Sequence, residues 1–237
     1  MEIPTATGIF CIDRTEVTNA QYAAFLASKP TGGSLPASCA YRVSSADFAP
    51  FTDSNDCNQY DPSGMPSWPV ACIDWCDAQA YCQWAGKHLC GKIGGGTNAP
   101  ADFVDPAKSE WFTTCSHDGT REFPYGDTFQ KGTCAGLQNS NVTRPVQTGS
   151  LDCQGGYDGV YDMSGNVAEW EDSCSGTSGA TDQCLQRGGS YLADLSPYPG
   201  DTATLRCNSN IAGTPKAATK ARSTRDKQIG FRCCYDP

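Results

Sequence analysis

Fifteen cysteines among 237 residues constrain this chain more than any other feature of its sequence. A reducing compartment would leave so many thiols reactive, and zinc sites need close clusters such as C-x2-C. The cysteines here are scattered, no C-x2-C occurs, and His88 and His117 are the only histidines. We therefore expect a disulfide-bonded protein of an oxidising compartment, with at least one cysteine left over because the count is odd.

Length and charge narrow the class of protein further. A chain of this length predicts one domain, residues 1–237, with a large core. The net charge of −9 argues against nucleic acid and anionic membranes as partners. No apolar run approaches the roughly 18 residues that a membrane helix needs. We expect a secreted, cell-surface or periplasmic protein whose leader is missing from this sequence, with Met1 in its place.

Three amphipathic helices are predicted from apolar periodicity and capping residues. The first begins after Thr18, and the second begins after Asp74 and ends at Gly86. The third is predicted to begin at residues 105–106, because proline is favoured at the first helical position. Beyond about residue 116, Gly, Pro, Asn, Asp and Ser dominate. That half is predicted to consist of loops and short strands, held in place by cross-links and ions.

Seven motifs follow one another along the chain: 14–22 (RTEVTNAQY), 80–89 (AYCQWAGKHL), 109–111 (SEW), 123–126 (FPYG), 161–170 (YDMSGNVAEW), 187–191 (RGGSY) and 230–233 (GFRC). In this order they resemble the formylglycine-generating-enzyme (sulfatase-modifying factor) family over essentially the whole chain, residues 84–89 corresponding to its WAGKRL pattern. The resemblance implies an α+β fold, a disulfide-rich variant of the C-type-lectin-like fold. Such a fold has little regular secondary structure, a small twisted antiparallel sheet and helices packed around it.

The resemblance also implies two long-range disulfides, Cys82–Cys233 and Cys115–Cys207. Proximity in the sequence suggests Cys39–Cys57, Cys134–Cys153 and Cys174–Cys184, and the pairs Cys76–Cys90 and Cys11–Cys234 complete the set. Cys72 is then the odd cysteine.

The chain departs from the family at its catalytic position. The family's oxidase chemistry uses two cysteines, three and eight residues past the serine of RGGS, to bind copper(I). Here that serine is Ser190, the residue three positions later is Ala193, and no cysteine lies between Cys184 and Cys207. We therefore expect neither copper nor formylglycine generation. The family's nonheme-iron branch needs three histidines, but a metal-dependent oxidoreductase with altered chemistry stays open as the alternative.

One structural calcium site is implied by the resemblance. Its ligands would be the Asp162 side chain, the backbone carbonyls of Gly165 and Val167, and the Glu169 carboxylate. Hard oxygen ligands on a tight turn suit Ca²⁺, and two carboxylates offset its charge. The alternative is that Asp162 and Glu169 cap turns and pair with arginine.

The leading expectation is a non-catalytic extracellular binding domain. C-type-lectin-like scaffolds hold variable loops rigidly, so recognition resides on those loops. The groove is predicted between 187–191, the 192–206 insertion and the 213–228 loop, where Lys and Arg are concentrated. Its ligand would be an extracellular peptide, protein or glycan, although an ordinary solvated face explains the charges equally well. The residues predicted to contact this ligand are Arg187, Ser190, Tyr191 and Tyr198.

Overall fold

The computed structural model describes residues 1–52, 57–136, 144–192, 203–211, 214–215 and 218–237. These residues form an α+β fold, as predicted, in which the helices are few and most strands are short. The helices are α1 (Asn19–Ala27), α2 (Trp75–Trp84) and α3 (Glu110–Ser116). The strands are β1 (Glu2–Thr5), β2 (Gly8–Ile12), β3 (His88–Leu89), β4 (Gln154–Gly155), β5 (Tyr157–Tyr161), β6 (Ala168–Cys174), β7 (Gln183–Arg187), β8 (Asn210–Ile211), β9 (Thr214–Pro215), β10 (Ala218–Ala221), β11 (Ile229–Gly230) and β12 (Cys233–Tyr235).

Two four-stranded sheets organise the chain. The first has the order β1-β2-β12-β3 and is antiparallel, so strands from the two ends of the sequence lie side by side. The second has the order β10-β7-β6-β11, in which β11 runs parallel to β6. β4 pairs with β5 and β8 with β9 in separate two-stranded sheets. No helix among the described residues is long and apolar enough to cross a membrane.

The first two helices begin where the sequence predicts. The Thr18 hydroxyl accepts a hydrogen bond from the Gln21 N–H at 3.3 Å, and the Gln21 side chain accepts one from the Thr18 N–H at 2.9 Å. Asp74 and Asp77 form the same reciprocal box at the start of α2. Each box satisfies two N–H groups that the first helical turn leaves without partners. The capping predictions are confirmed.

The predicted start of the third helix at residues 105–106 is wrong. The N–H groups of Lys108 and Ser109 both bond to the Asp105 carbonyl, which closes one isolated turn. Ser109 then takes an extended conformation and forms an antiparallel bridge with Lys92. The helix α3 therefore begins at Glu110. The Ser109 hydroxyl caps it by accepting a hydrogen bond from the Phe112 N–H at 3.0 Å.

Apolar side chains collect in two core clusters. In the first, Tyr22 and Phe25 of α1 pack on Tyr81 of α2, with ring centroids 5.7 Å apart in both pairs. The second lies under the first sheet and includes Phe10 and Trp111, both almost fully buried. Half-cystines belong to both clusters, so disulfides connect the elements in addition to this apolar packing.

Seven disulfides cross-link the described chain. The structure contains Cys82–Cys233 and Cys115–Cys207, the pairs implied by the resemblance, together with Cys134–Cys153 and Cys174–Cys184. The other predicted pairs are wrong: the structure has Cys39–Cys76, Cys57–Cys72 and Cys90–Cys234, and Cys11 rather than Cys72 is the free cysteine.

Packing explains the pairs Cys39–Cys76 and Cys90–Cys234. Cys76 lies on the buried face of α2, against the 3-10 turn Ala37–Cys39, so it meets Cys39 and not its predicted partner Cys90. In the first sheet Cys234 is opposite Ile12 on one side and His88 on the other. Side chains of successive strand residues point to opposite faces. Cys11 is therefore turned away from Cys234, whose partner is Cys90.

Candidate functional site

The bend between β5 and β6 carries the residues predicted to bind calcium. Asp162, Gly165 and Asn166 have φ angles of 60°, 78° and 56°, which makes the bend tight. Asp162 is 1% exposed, and its Oδ2 accepts a hydrogen bond from the Gly149 N–H at 2.6 Å. Its Oδ1 is buried and has no hydrogen-bond partner. Burial raises the pKa of Asp162 to about 6, and a buried unpartnered carboxylate oxygen is what a hard cation would satisfy.

Glu16 joins this bend, although the sequence did not single it out. It is fully buried, and no N–H or O–H group of the described residues donates to its carboxylate oxygens, which lie within hydrogen-bond reach of the Asp162 carboxyl. Burial, together with the charge of Asp162, raises the pKa of Glu16 well above its usual value. The sequence feature that could have identified Glu16 is its place next to Val17, in a segment that contributes to the hydrophobic core. Two neighbouring buried carboxyl groups require either a proton or a cation between them.

Glu169 has a different environment. Its carboxylate accepts hydrogen bonds from the Arg232 guanidinium at 2.7 to 2.9 Å and from the Trp111 indole N–H at 2.8 Å. These contacts occupy the lone pairs of both oxygens. Glu169 therefore does not fit a calcium ligand here, and for this residue the alternative of pairing with arginine holds. The side chains that fit a cation are Asp162 and Glu16.

Arg187, predicted to contact an external ligand, is instead fully buried. Its guanidinium pairs with Glu171 at 2.6 Å, donates to the Cys207 carbonyl at 2.9 Å, and lies 4.5 Å from the centroid of the Trp111 ring. Both terminal nitrogens of the buried guanidinium thus donate to protein groups, whereas its Nε has no hydrogen-bond partner among the described residues. Contact of Arg187 with an external ligand stays a prediction; in this structure the β6–β7 pairing turns the side chain inward.

Two further groove residues are also buried. The Ser190 hydroxyl donates to Gln228 Oε1 at 2.8 Å, and Tyr191 is 1% exposed with its hydroxyl accepting from Gln59 Nε2 at 3.3 Å. Their contact with an external ligand stays a prediction, for which the described residues provide no exposed surface. Tyr198, and the Ala193 position, lie outside the described residues.

The cysteines offer no pair of thiolates. Seven disulfides take up fourteen of the fifteen, including Cys184 and Cys207, which flank the position of the family's catalytic cysteines. The free one, Cys11, is part-buried on β2. A copper(I) centre of the kind that the resemblance implies for the family needs two soft thiolates. This chain cannot assemble them while its disulfides are intact.

A cleft of about 490 Å³ with a mixed polar and apolar lining opens between α2 and the end of β6. On α2, the Oε1 atoms of Gln79 and Gln83 have no hydrogen-bond partner. The Arg222 guanidinium lies 4.9 Å from the centroid of the Trp75 ring. Burial raises the pKa of Asp172 to about 6. The other residues that line the cleft are Ser34, Leu35, Pro36, Ser38, Thr97, Cys174, Ser175, Gly176 and Thr177.

Comparison with curated proteins finds several relatives of about the same similarity. The chain is 28% identical over 196 residues to the formylglycine-generating enzyme of Mus musculus, covering 71% of this chain and 44% of that one. It is 29% identical over 183 residues to the inactive C-alpha-formylglycine-generating enzyme 2 of the same species, covering 70% and 48%. The chain thus spans about half the length of these relatives.

Among solved structures, the crystal structure of CarF superposes with a TM-score of 0.59 at 18% identity, covering 99% of this chain and 89% of that one. This likeness establishes the fold alone. The family model described as the sulfatase-modifying factor enzyme 1-like domain matches residues 5–237. With that match, the shared fold and the ordered motifs, this chain belongs to the sulfatase-modifying factor enzyme 1-like family.

Proposed function

We propose that this protein is a secreted, non-catalytic binding domain, stabilised by disulfides and calcium, on the scaffold of this family. The observation that carries the proposal is the state of its cysteines. Fourteen are joined in disulfides, and the position three residues past Ser190 is Ala193. The scaffold is retained without the two thiolates that oxidase chemistry in the family needs.

The cleft is the surface that we propose for ligand binding. Two glutamine side chains, several hydroxyl groups and the side of Trp75 line it. Such a mixed lining suits a ligand that offers both apolar faces and hydrogen-bonding groups without a large charge, such as a glycan or a peptide segment. Arg222 belongs to the segment 187–228 predicted to contact ligand, so the cleft overlaps that segment.

Binding to glycan and peptide arrays tests this proposal. We expect wild-type protein to bind a restricted set of probes, and Gln79→Ala with Gln83→Ala to lose that binding while the melting temperature stays within a few degrees. Gln130→Ala, an exposed glutamine outside the cleft, is the matched control. Oxygen consumption on addition of copper or iron, with turnover of a substrate, would contradict the proposal and favour the alternative of an oxidoreductase.

Calcium is the second part of the proposal. We propose that Asp162 binds it, with the backbone carbonyls of Gly165 and Val167, and that Glu16 takes the place predicted for Glu169. The unpartnered oxygens of Asp162 and Glu16 support this assignment. Calcium would contribute charge neutralisation and order to the bend.

Thermal unfolding in calcium and in EDTA tests the calcium assignment. At free calcium one hundred times its Kd, we expect stabilisation by about 2.7 kcal/mol, or roughly 5–10 °C in melting temperature. Asp162→Asn and Glu16→Gln should each abolish the calcium dependence. Asp158→Asn, which removes an exposed carboxylate from β5, should leave it intact. Equal melting temperatures in calcium and EDTA would refute the site.

A further inference from the structure

A second cluster of ligating side chains lies away from the bend and contains one of the two histidines. His88, Glu110 and Asp236 each offer one ligand atom, and these atoms lie within 4.8 Å of one another. Glu110 is buried, whereas 26% of the His88 side chain is exposed. The cluster can therefore be reached from solvent on one side and is held by the core on the other.

Three elements bring the cluster together. His88 on β3 is opposite Cys234 on β12, and the disulfide Cys90–Cys234 locks these strands in that register. Asp236 directly follows β12, two residues beyond Cys234, and its carboxylate lies near His88 and Glu110. Glu110 is the first residue of α3, and its Oε2 accepts a hydrogen bond from the Gly91 N–H at 2.7 Å. The positions of all three are thus set by the fold.

The loop beside the cluster is built without side chains. Gly94, Gly95 and Gly96 have φ angles of 84°, 93° and 87°. A Cβ atom on Gly95 would lie 3.3 Å from Asp236 Oδ2, so a larger residue there would crowd that carboxylate. The glycines let the backbone pass close to Asp236 and leave its oxygen free to turn toward His88.

We propose that His88, Glu110 and Asp236 bind one divalent transition-metal ion, for which zinc is the reference ion. One imidazole and two carboxylates form a three-ligand set that leaves a position for water. Tetrahedral zinc holds its ligand atoms roughly 3.4 Å apart, so small rotations of these side chains suffice. Without metal, His88 Nε2 contacts the Glu110 oxygens at 3.0 and 3.1 Å. The Gly91 N–H orients Glu110 as an outer-shell donor.

The neighbouring sulfur atoms do not enter the site. Cys90 and Cys234 lie close to Glu110, but both are oxidised in their disulfide and offer no thiolate. The ligands are therefore nitrogen and oxygen only. This set favours ions such as zinc over copper(I), and imidazole distinguishes it from the all-oxygen calcium site.

The competing explanation for the cluster is an ion pair between His88 and Glu110 with no role for a metal. A variant that retains the positive charge distinguishes the metal site from the ion pair. His88→Arg keeps a cation beside Glu110, as the WAGKRL pattern would, but arginine has no lone pair for a metal. Asp236→Asn tests the third ligand. His117→Gln, which removes the other histidine, is the control for loss of any imidazole.

The experiment is a calorimetric titration of zinc into protein that is free of transition metals, in calcium-containing buffer throughout. We expect one zinc per chain for wild type and for His117→Gln. In His88→Arg and Asp236→Asn, the affinity should fall at least about 100-fold, with the melting temperature without zinc retained in His88→Arg. No stoichiometric binding by wild type, or equal affinity in His88→Arg, would overturn the proposal. Because calcium saturates the other site throughout, failure here leaves the calcium proposal unaffected.

Discussion

Two neighbouring disulfides tie the middle of the chain to its C-terminal strand, and removing them singly and together tests how cross-links stabilise this fold. Cys82–Cys233 and Cys90–Cys234 have sequence separations of 151 and 144. In the chain-entropy model, a disulfide stabilises the protein by restricting the unfolded chain, and its effect grows with the logarithm of the loop that it closes. Each bridge considered alone closes a long loop.

The two bridges nevertheless share that loop. With Cys90–Cys234 intact, Cys82 and Cys233 are already joined through about nine residues, so the other bridge closes a ring of only about ten and contributes about 2.6 kcal/mol. With both bridges absent, the shortest connection runs through Cys115–Cys207 and is roughly 60 residues long. The first bridge to form in that background contributes about 4.3 kcal/mol.

We therefore expect strong non-additivity. Replacing either pair by alanine should lower the free energy of unfolding by about 2.6 kcal/mol, and replacing both pairs should lower it by about 7 kcal/mol. The coupling between the bridges is then about 2 kcal/mol. Urea unfolding followed by tryptophan fluorescence measures all three values.

The short bridge Cys174–Cys184, with a separation of 10, is the control because its loop is shared with no other disulfide. Its removal should lower the free energy of unfolding by about 2.6 kcal/mol in every background. The reasoning is refuted if each long bridge removed alone lowers it by about 4 kcal/mol and the combined variant equals their sum.

Three further predictions follow from buried groups and close contacts. Arg187→Met should lower the free energy of unfolding by about 3–5 kcal/mol in urea melts, because it leaves the Glu171 carboxylate buried without its cation; Glu171→Gln in the same chain should recover part of the loss, and no recovery would contradict the argument. The folded-state pKa of Asp172 is raised to about 6, so its contribution to stability is lost as pH rises from about 4 through 6. The free energy of unfolding of Asp172→Asn should therefore exceed that of wild type by on the order of 2 kcal/mol at pH 7 and equal it at pH 3.5. The same difference at both pH values would be inconsistent with this cause. Gly156→Ala should unfold the protein or nearly so, because its Cβ would overlap the Thr114 carbonyl, whereas Gly86→Ala, at a similar φ of 71° with open space around it, should lower the free energy of unfolding by about 1 kcal/mol in the same urea assay.

The starts of α1 and α2 are readable from the sequence because their causes are local. Thr18 with Gln21, and Asp74 with Asp77, satisfy N–H groups within a single helical turn, whatever the rest of the chain does. The start of α3 is not readable in this way. Ser109 leaves the helical conformation to pair with Lys92, a partner that only the folded chain supplies.

The cysteine partners show the same division. The count and scatter of the cysteines predict a cross-linked protein, and the resemblance implied the two long-range pairs. Proximity in the sequence found Cys134–Cys153 and Cys174–Cys184 but misplaced Cys39 and Cys57, because tertiary packing decides which sulfur atoms meet.

For the site, the sequence alone determined the family, the missing pair of thiolates and the tight bend that carries Asp162. Only the tertiary structure decided which buried charged side chains have an ion-pair or hydrogen-bond partner. Arg232 arrives beside Glu169 because β11 runs parallel to β6, and Glu16 is left buried without an N–H or O–H donor among the described residues. Arg187, which the sequence placed in a ligand groove, is buried in the structure and pairs with Glu171. The physical reason is that the free energy of a buried charge depends on every neighbour within a few ångströms, and those neighbours come from distant parts of the chain.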